Sequence, residues 1–150
     1  MEIGRFNVRV YGIFIRNAKV LVTDEFRFGT PMTKFPGGGM EFGEGSIETL
    51  IRECKEELGL VPDHIQHFYT TDFFQKTMLM DEPQQLISIY YTMNLPQIDT
   101  IRLENKPFEF VRKEGEQAFR FIRLSNLTSD DFTFPIDRKV AEMIIKRYKK

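Results

Sequence analysis

The segment from residue 38 to residue 60 constrains the fold more than any other part of the chain. It reads GGMEFGEGSIETLIRECKEELGL, and its apolar residues recur at helical spacing. These residues form one stripe, which comprises Ile47, Leu50, Ile51, Cys54 and Leu58. Gly59 is suited to the left-handed turn that ends a helix, and Pro62 opposes continuation. The pattern predicts an amphipathic helix over 46–58 with Ser46 as its N-cap.

Alternating and short apolar runs predict β-strands on both sides of this helix. The predicted strands cover 6–14, 20–22, 65–69, 86–93, 108–111 and 118–124. The intervening residues 23–34 read as a polar loop, and a second helix is predicted over 137–148. Strands before and after a central helix predict an α/β fold in which a mixed β-sheet lies between helices.

The charge balance excludes several classes of function. The chain has 150 residues, a length that suits a single domain over 1–150. Its 22 acidic residues nearly balance its 21 basic ones, so no overall basic field attracts nucleic acid or an anionic membrane. One cysteine, Cys54, cannot form an internal disulfide, and no apolar run approaches the roughly 20 residues that span a bilayer. We therefore expect a soluble, cytoplasmic protein.

Three carboxylates on the predicted helix suggest a metal site. Glu53, Glu56 and Glu57 are spaced i, i+3 and i+4, which places them on one face. Their mutual repulsion would be relieved by Mg²⁺, a cation that binds carboxylate and phosphate oxygens. Such a metal beside a glycine-rich segment is suited to polarising a phosphoryl group. From the residues alone, a metal site and a solvated acidic face remain the two alternatives.

The same segment resembles the Nudix signature, G-x5-E-x7-R-E-U-x-E-E-x-G-U, in which U is a bulky apolar residue. The matching positions are Gly38, Glu44, Arg52, Glu53, Cys54, Glu56, Glu57, Gly59 and Leu60. Cys54 stands where Leu, Val or Ile is usual, and a small apolar side chain serves there. The resemblance extends to residues 35–38 before the signature and 121–127 after it, with Phe121 where the family commonly has Trp.

The resemblance implies an α/β/α sandwich with a mixed β-sheet and a hydrolase that uses Mg²⁺ or Mn²⁺. It implies that the metal ligands are Glu53, Glu56 and Glu57, helped by a carbonyl of Gly37 or Gly38. Three consecutive glycines, Gly37, Gly38 and Gly39, would let the substrate approach the backbone.

The remaining catalytic residues implied by the resemblance are Arg52, Glu44 and Glu116. Arg52 and Glu44 would pair and hold the helix and its preceding loop in register. The general base would be Glu53 or a downstream carboxylate, for which Glu116 is a better candidate than Glu114.

The activity implied is hydrolysis of the diphosphate linkage in a nucleoside diphosphate derivative, by attack of water on phosphorus. A nucleotide sugar, an ADP-ribose-like compound or a nucleoside triphosphate would be the substrate. The alternatives are a housekeeping pyrophosphohydrolase of oxidised nucleoside triphosphates and a nucleotide-sensing module without catalysis. We expect a nucleotide-derived small molecule as partner, no membrane and no nucleic acid, with a homodimer left open.

Overall fold

A computed structural model describes residues 2–148, which form two compact units. The first unit contains the chain up to Ile13 and then Pro36–Ile98; the second contains Phe14–Phe35 and the chain from Asp99 onward. In chain order the helices and strands are β1 (Phe6–Ile13), β2 (Ile15–Arg16), β3 (Lys19–Arg27), β4 (Thr30–Lys34), β5 (Gly37–Gly39), α1 (Ser46–Leu58), β6 (Asp63–Thr70), β7 (Gln85–Asn94), β8 (Gln117–Arg123) and α2 (Pro135–Tyr148).

The first unit is built on a mixed sheet with the strand order β5-β1-β7-β6. Strand β1 is parallel to β7, whereas the β1–β5 and β6–β7 pairs are antiparallel. Helix α1 contacts β1 and β5. The sheet thereby places the three glycines of β5 beside the helix that carries the acidic residues.

The second unit is built on an antiparallel sheet around β3, which pairs with β2, β4 and β8. Its core includes Leu21 of β3, Phe35 and Phe132, and the last two rings stack with centroids 4.4 Å apart. The α2 residues Val140 and Ile144 are fully buried, so this helix also contributes an apolar face to a core.

Helix α1 has the predicted bounds, but its N-terminus is capped differently. The N-cap is Gly45, whose N–H donates to Glu48 Oε1 at 2.9 Å, and Ser46 is already helical. The C-terminal prediction is confirmed, because Gly59 adopts a left-handed conformation with φ of 69°. The apolar stripe is only partly buried, since Leu50 lies in the core while Ile47 is 44% exposed.

Two further sequence-based predictions are wrong. Residues 23–34 form no loop: β3 continues to Arg27 and pairs with β4. The polar residues Asp24 and Glu25 are buried there because cationic partners neutralise both carboxylates. The predicted strand over 108–111 is a turn, in which Phe108 has φ of 56° and its carbonyl accepts a hydrogen bond from the Phe110 N–H.

The α/β class with a mixed sheet is confirmed. The single-domain organisation stays a prediction. Within residues 2–148, no helix combines the length and apolar character that crossing a bilayer requires.

Candidate functional site

Strand β5 requires glycine because its backbone lies very close to other groups. Gly37 has φ of 149°, and a Cβ there would lie 2.1 Å from the Val10 carbonyl oxygen. A Cβ on Gly38 would lie 2.5 Å from the carboxylate of Glu53. Both distances are far below van der Waals contact, so side chains at these positions are excluded unless neighbouring atoms move. The Glu53 carboxylate thus sits directly against the backbone of β5.

Arg52 is the centre of the hydrogen-bonding network on α1. Its Nε and Nη2 donate to the two carboxylate oxygens of Glu44 at 2.6 and 3.0 Å. Its Nη1 donates to Glu53 Oε1 at 2.9 Å and to Glu56 Oε2 at 3.1 Å. Nη2 also donates to the Gly39 carbonyl at 2.8 Å. One guanidinium therefore connects strand β5, the following loop and two acidic residues of the helix.

Glu44 is held by several further donors. Its Oε1 accepts hydrogen bonds from the Glu41 N–H at 3.0 Å and from Thr49 Oγ1 at 3.1 Å. The hydrogen bonds from Arg52, then that from the Glu41 backbone, lower the pKa of Glu44 to about 2. The same pairing raises the pKa of Arg52 above its ordinary value. Both groups are therefore charged throughout the neutral range.

Cys54 occupies the apolar position of the signature, and its thiol is unreactive because it is buried and protonated. Its side chain is buried on α1 and its Sγ lies 3.8 Å from Met93 Sδ. Burial, and secondarily the negative charges of Glu57 and Glu53, raise the pKa of the thiol to about 12. Cys54 serves the packing of the helix.

The donor chemistry of α1 fits a hard divalent cation. Glu53, Glu56 and Glu57 supply carboxylate oxygens within about one helical turn, the ligand type that Mg²⁺ prefers. Glu53 also lies against the β5 backbone at Gly38. In residues 2–148, no three His, Cys, Asp or Glu side chains are already gathered around one point. Arg52 Nη1 engages Glu53 Oε1 and Glu56 Oε2, which leaves the second oxygen of each carboxylate outside these two hydrogen bonds.

The downstream carboxylates lie in the second unit. The carboxylate of Glu114 accepts the N–H groups of Phe28 and Gly29 at 2.9 and 3.1 Å, which lowers its pKa. Glu114 therefore fastens the β3–β4 turn. Glu116 is exposed just before β8, and its backbone carbonyl accepts the Phe26 N–H at 2.9 Å. Its catalytic role stays a prediction.

Sequence reasoning missed two residues of this network, Thr49 and Glu41, and did not foresee the contact between Arg52 and Gly39. Thr49 is fully buried and bonds Glu44, the Gly39 carbonyl accepts from Arg52, and Glu41 approaches Arg52 Nε within 3.8 Å. A threonine in the first turn of an amphipathic helix, next to the apolar stripe, was the one available signal. The hydrogen bond from Arg52 to the Gly39 carbonyl could not be predicted from the sequence, because every residue type has a backbone carbonyl.

The family comparison matches a NUDIX domain model over residues 6–142. An RNA pyrophosphohydrolase of Shewanella piezotolerans is 38% identical over 76 residues, which cover 51% of this chain and 42% of that protein. The chain spans less than half the length of the curated relatives it matches.

Solved structures show the same fold at low sequence identity. A NUDIX hydrolase from Nitrosomonas europaea superposes with a TM-score of 0.66 at 16% identity, over 92% of this chain and 87% of that one. A MutT protein from Methanosarcina mazei superposes with a TM-score of 0.59 at 18% identity, over 97% of both chains.

Proposed function

Because this chain belongs to the Nudix family, we propose that it hydrolyses the diphosphate linkage of a nucleoside diphosphate derivative with the help of Mg²⁺ or Mn²⁺. The observation that carries the proposal is the Arg52 network, which holds Glu44, Glu53, Glu56 and the Gly39 carbonyl together. A purely structural acidic helix face would need only ordinary ion pairs in water. Here the arginine instead joins the helix to a glycine strand.

The residues that would hold the metal are Glu53, Glu56 and Glu57, with a carbonyl of Gly37 or Gly38. When bound, a divalent cation neutralises charge on phosphoryl oxygens and lowers the pKa of a coordinated water. Three carboxylates in one helical turn supply the negative charge that such a cation requires. Arg52 holds the helix beside β5 through the Gly39 carbonyl, which would let backbone and carboxylate oxygens serve the same cation.

The chain's own groups would act on the attacking water and the substrate. Glu53 would accept a proton from the water as its oxygen bonds to phosphorus, and the phosphorus–oxygen bond of the diphosphate bridge would break. Glu116 is the alternative base. Because Gly37, Gly38 and Gly39 lack side chains, a phosphate group can approach the strand at van der Waals distance. Glu44 would act through Arg52 as a positioning residue.

The substrate class includes nucleotide sugars, ADP-ribose-like compounds and nucleoside triphosphates. A second candidate is the 5′-triphosphate end of RNA, because the curated relatives are named RNA pyrophosphohydrolases. A 5′ end requires only local contacts, so the near-zero net charge of the chain does not oppose it. Oxidised nucleoside triphosphates and a sensing module without catalysis are the alternatives that the experiment must separate.

The test is hydrolysis of a substrate panel with and without Mg²⁺, followed by identification of the products. The panel contains ADP-ribose, a nucleotide sugar, canonical and oxidised nucleoside triphosphates, and 5′-triphosphorylated RNA. Glu57→Gln should abolish metal-dependent turnover while leaving the melting temperature nearly unchanged. Glu142→Gln, on the exposed side of α2, is the matched control and should behave as wild type. Unchanged turnover in Glu57→Gln would refute the site, and ligand binding without products would favour the sensor.

A separate pair of variants distinguishes the general base. If Glu53 is the base, Glu53→Gln should lose most of the rate and Glu116→Gln should keep it. If Glu116 is the base, Glu116→Gln should lose most of the rate while its affinity for Mn²⁺ stays that of wild type. Metal affinity, measured by titration with Mn²⁺, should fall only for the residue that also binds the metal.

A further inference from the structure

We propose that a basic cleft in the second unit binds a phosphate group, independently of the metal site proposed above. The cleft has a volume of about 360 Å³. Its lining consists of Arg16, Asn17, Lys19, Leu103, Glu104, Asn105, Phe121 and Arg123. All of these residues belong to the second unit. None of them was assigned a role in the hydrolysis.

Strand register creates the positive charge of this cleft. Arg16 on β2 is the direct partner of Lys19 on β3, and Lys19 is the direct partner of Arg123 on β8. Directly opposed residues of antiparallel strands project to the same face, about 5 Å apart at Cβ. Three cations therefore stand in one row across three strands. Like charges in such a row destabilise a sheet unless an anion lies among them.

The row has little internal compensation. Arg16 is the one member with a counter-ion, since its Nη2 lies 2.8 Å from Asp99 Oδ1. Among residues 2–148, no side-chain hydrogen bond or ion pair engages Lys19 or Arg123. The carboxylate of Glu104 is the acidic group in the lining, and Arg102 Nε binds it at 2.8 Å. Two cations are thus available to an incoming ligand.

The surroundings form a recess instead of a flat charged surface. Phe121 lies one row along the same face, because its partner Leu21 follows Lys19 by two residues. The Arg16 guanidinium lies 5.9 Å from the centre of this ring. On the other side of β8, residues 103–105 run beside the strand, where the Glu104 N–H donates to the Phe119 carbonyl at 2.8 Å. The Phe121 ring and residues 103–105 therefore form the walls of the recess beside the cations.

The rim of the cleft also offers neutral polar groups and is held in place. Asn17 and Ala18 form the β2–β3 turn with φ of 52° and 58°, and the Ala18 carbonyl accepts the Leu124 N–H at 2.9 Å. This hydrogen bond fixes the turn relative to the end of β8. The side-chain amides of Asn17 and Asn105 are exposed at the rim and can donate.

A tetrahedral phosphate group is the ligand that matches these features. It presents several acceptor oxygens and a charge that Lys and Arg neutralise together, the arginine by a two-pronged contact. The Phe121 ring already has two close neighbours: the Arg16 guanidinium lies 5.9 Å from its centre, and the Phe14 ring has its centroid 5.9 Å away. We therefore assign the recognition to the phosphate and not to base stacking.

Binding is measured with the full chain in the presence of EDTA, so that metal-dependent turnover plays no part. Inorganic phosphate, a nucleoside 5′-monophosphate and a short 5′-phosphorylated RNA are titrated separately, with backbone amide chemical shifts and calorimetry as readouts. The shifts should localise to Asn17, Ala18 and Arg123. Tighter binding of the RNA would identify a nucleic-acid phosphate as the source, and tighter binding of the monophosphate would identify a small nucleotide.

Variants of the two available cations decide the proposal. Lys19→Gln and Arg123→Gln should each weaken phosphate binding by about tenfold, and the double variant by more. Lys113→Gln, an exposed lysine of the same unit outside the lining, is the matched control and should bind as wild type. Equal binding by the double variant and wild type would overturn the proposal, as would the absence of binding to wild type. Loss of hydrolysis in Glu57→Gln with retained phosphate binding would show that the two sites are separate.

Discussion

Arg52 and Glu44 form a two-pronged ion pair, in which Nε lies 2.6 Å from Oε2 and Nη2 lies 3.0 Å from Oε1. The pair joins helix α1 to the loop before it. Its side chains are mostly shielded from water, with exposed fractions of 22% for Arg52 and 16% for Glu44. The carboxylate has two further donors, so its ionised form is strongly favoured in the folded state.

This pair should make stability fall at acidic pH. The pKa of Glu44 is lowered from 4.5 to about 2 on folding, so its ionised form stabilises the native state above pH 4.5. That contribution should disappear as the pH falls through about 2. The difference in melting temperature between wild type and Glu44→Gln should therefore be largest at neutral pH and shrink below pH 4.5. A pH-independent difference would contradict this account, and Glu142→Gln serves as the surface control.

Gly38→Ala should separate activity from stability. The new Cβ would fall 2.5 Å from the Glu53 carboxylate, the end of a flexible side chain that can move aside. The melting temperature should change little, whereas displacing a catalytic carboxylate by about 1 Å can cost roughly 10²-fold in rate. Gly4→Ala is the matched control, because Gly4 is exposed and a Cβ there would meet no atom within 4 Å. Equal turnover by the two variants would argue against a role for the Glu53 position.

Asp24→Ala should strongly destabilise the protein. The Asp24 carboxylate is 1% exposed and accepts hydrogen bonds from Arg120 at 2.7 and 3.2 Å. Removing it leaves the largely buried guanidinium without a counter-ion, at a cost of about 3–5 kcal/mol in the free energy of unfolding. Urea denaturation measures this loss. Asp24→Leu combined with Arg120→Met should recover part of it, and an equally unstable double variant would show that the other Asp24 contacts dominate.

Cys54 should resist modification in the native protein. Its thiol is buried, and its pKa of about 12 leaves almost no thiolate at neutral or mildly alkaline pH. A thiol-specific reagent should therefore react slowly with the folded chain and rapidly in concentrated guanidinium chloride. Rapid modification under native conditions would show that α1 opens locally, and amide hydrogen exchange would identify the opening.

Helix α1 was predictable because its determinants are local. The apolar spacing and Gly59 lie within the segment itself, and both bounds of the helix agree with the structure. The N-cap was mispredicted because Ser46 is a common capping residue, whereas Glu48 reaches back to the Gly45 N–H. The choice between two adjacent residues depends on a side-chain contact that residue type alone does not specify.

The β3–β4 hairpin was not predictable because its polar residues are neutralised from a distance. An aspartate such as Asp24 is typical of loops when the sequence is read locally. In the fold, the pairing of β3 with β8 places Arg120 beside it and neutralises its charge. The cleft cations illustrate the same difficulty, since Lys19 and Arg123 become neighbours only through strand register. For the candidate metal site, helical spacing indicated the three carboxylates on one face, and the resemblance supplied the Glu44–Arg52 pair. The hydrogen bond to the Gly39 carbonyl appears only in three dimensions.

The hydrogen bonds of Arg52 to Glu44 and to the Gly39 carbonyl constrain the number of residues in the segment 40–51. The Arg52 side chain binds the carbonyl of Gly39, just before this segment, and Glu44 within it. These two contacts fix the distance between strand β5 and helix α1. Adding or deleting a residue here would pull one attachment out of reach, whereas many substitutions would leave both intact. We infer that the segment tolerates changes of residue far better than changes of length. This requirement for a constant length explains why the signature is defined by fixed spacings between a few specified residues.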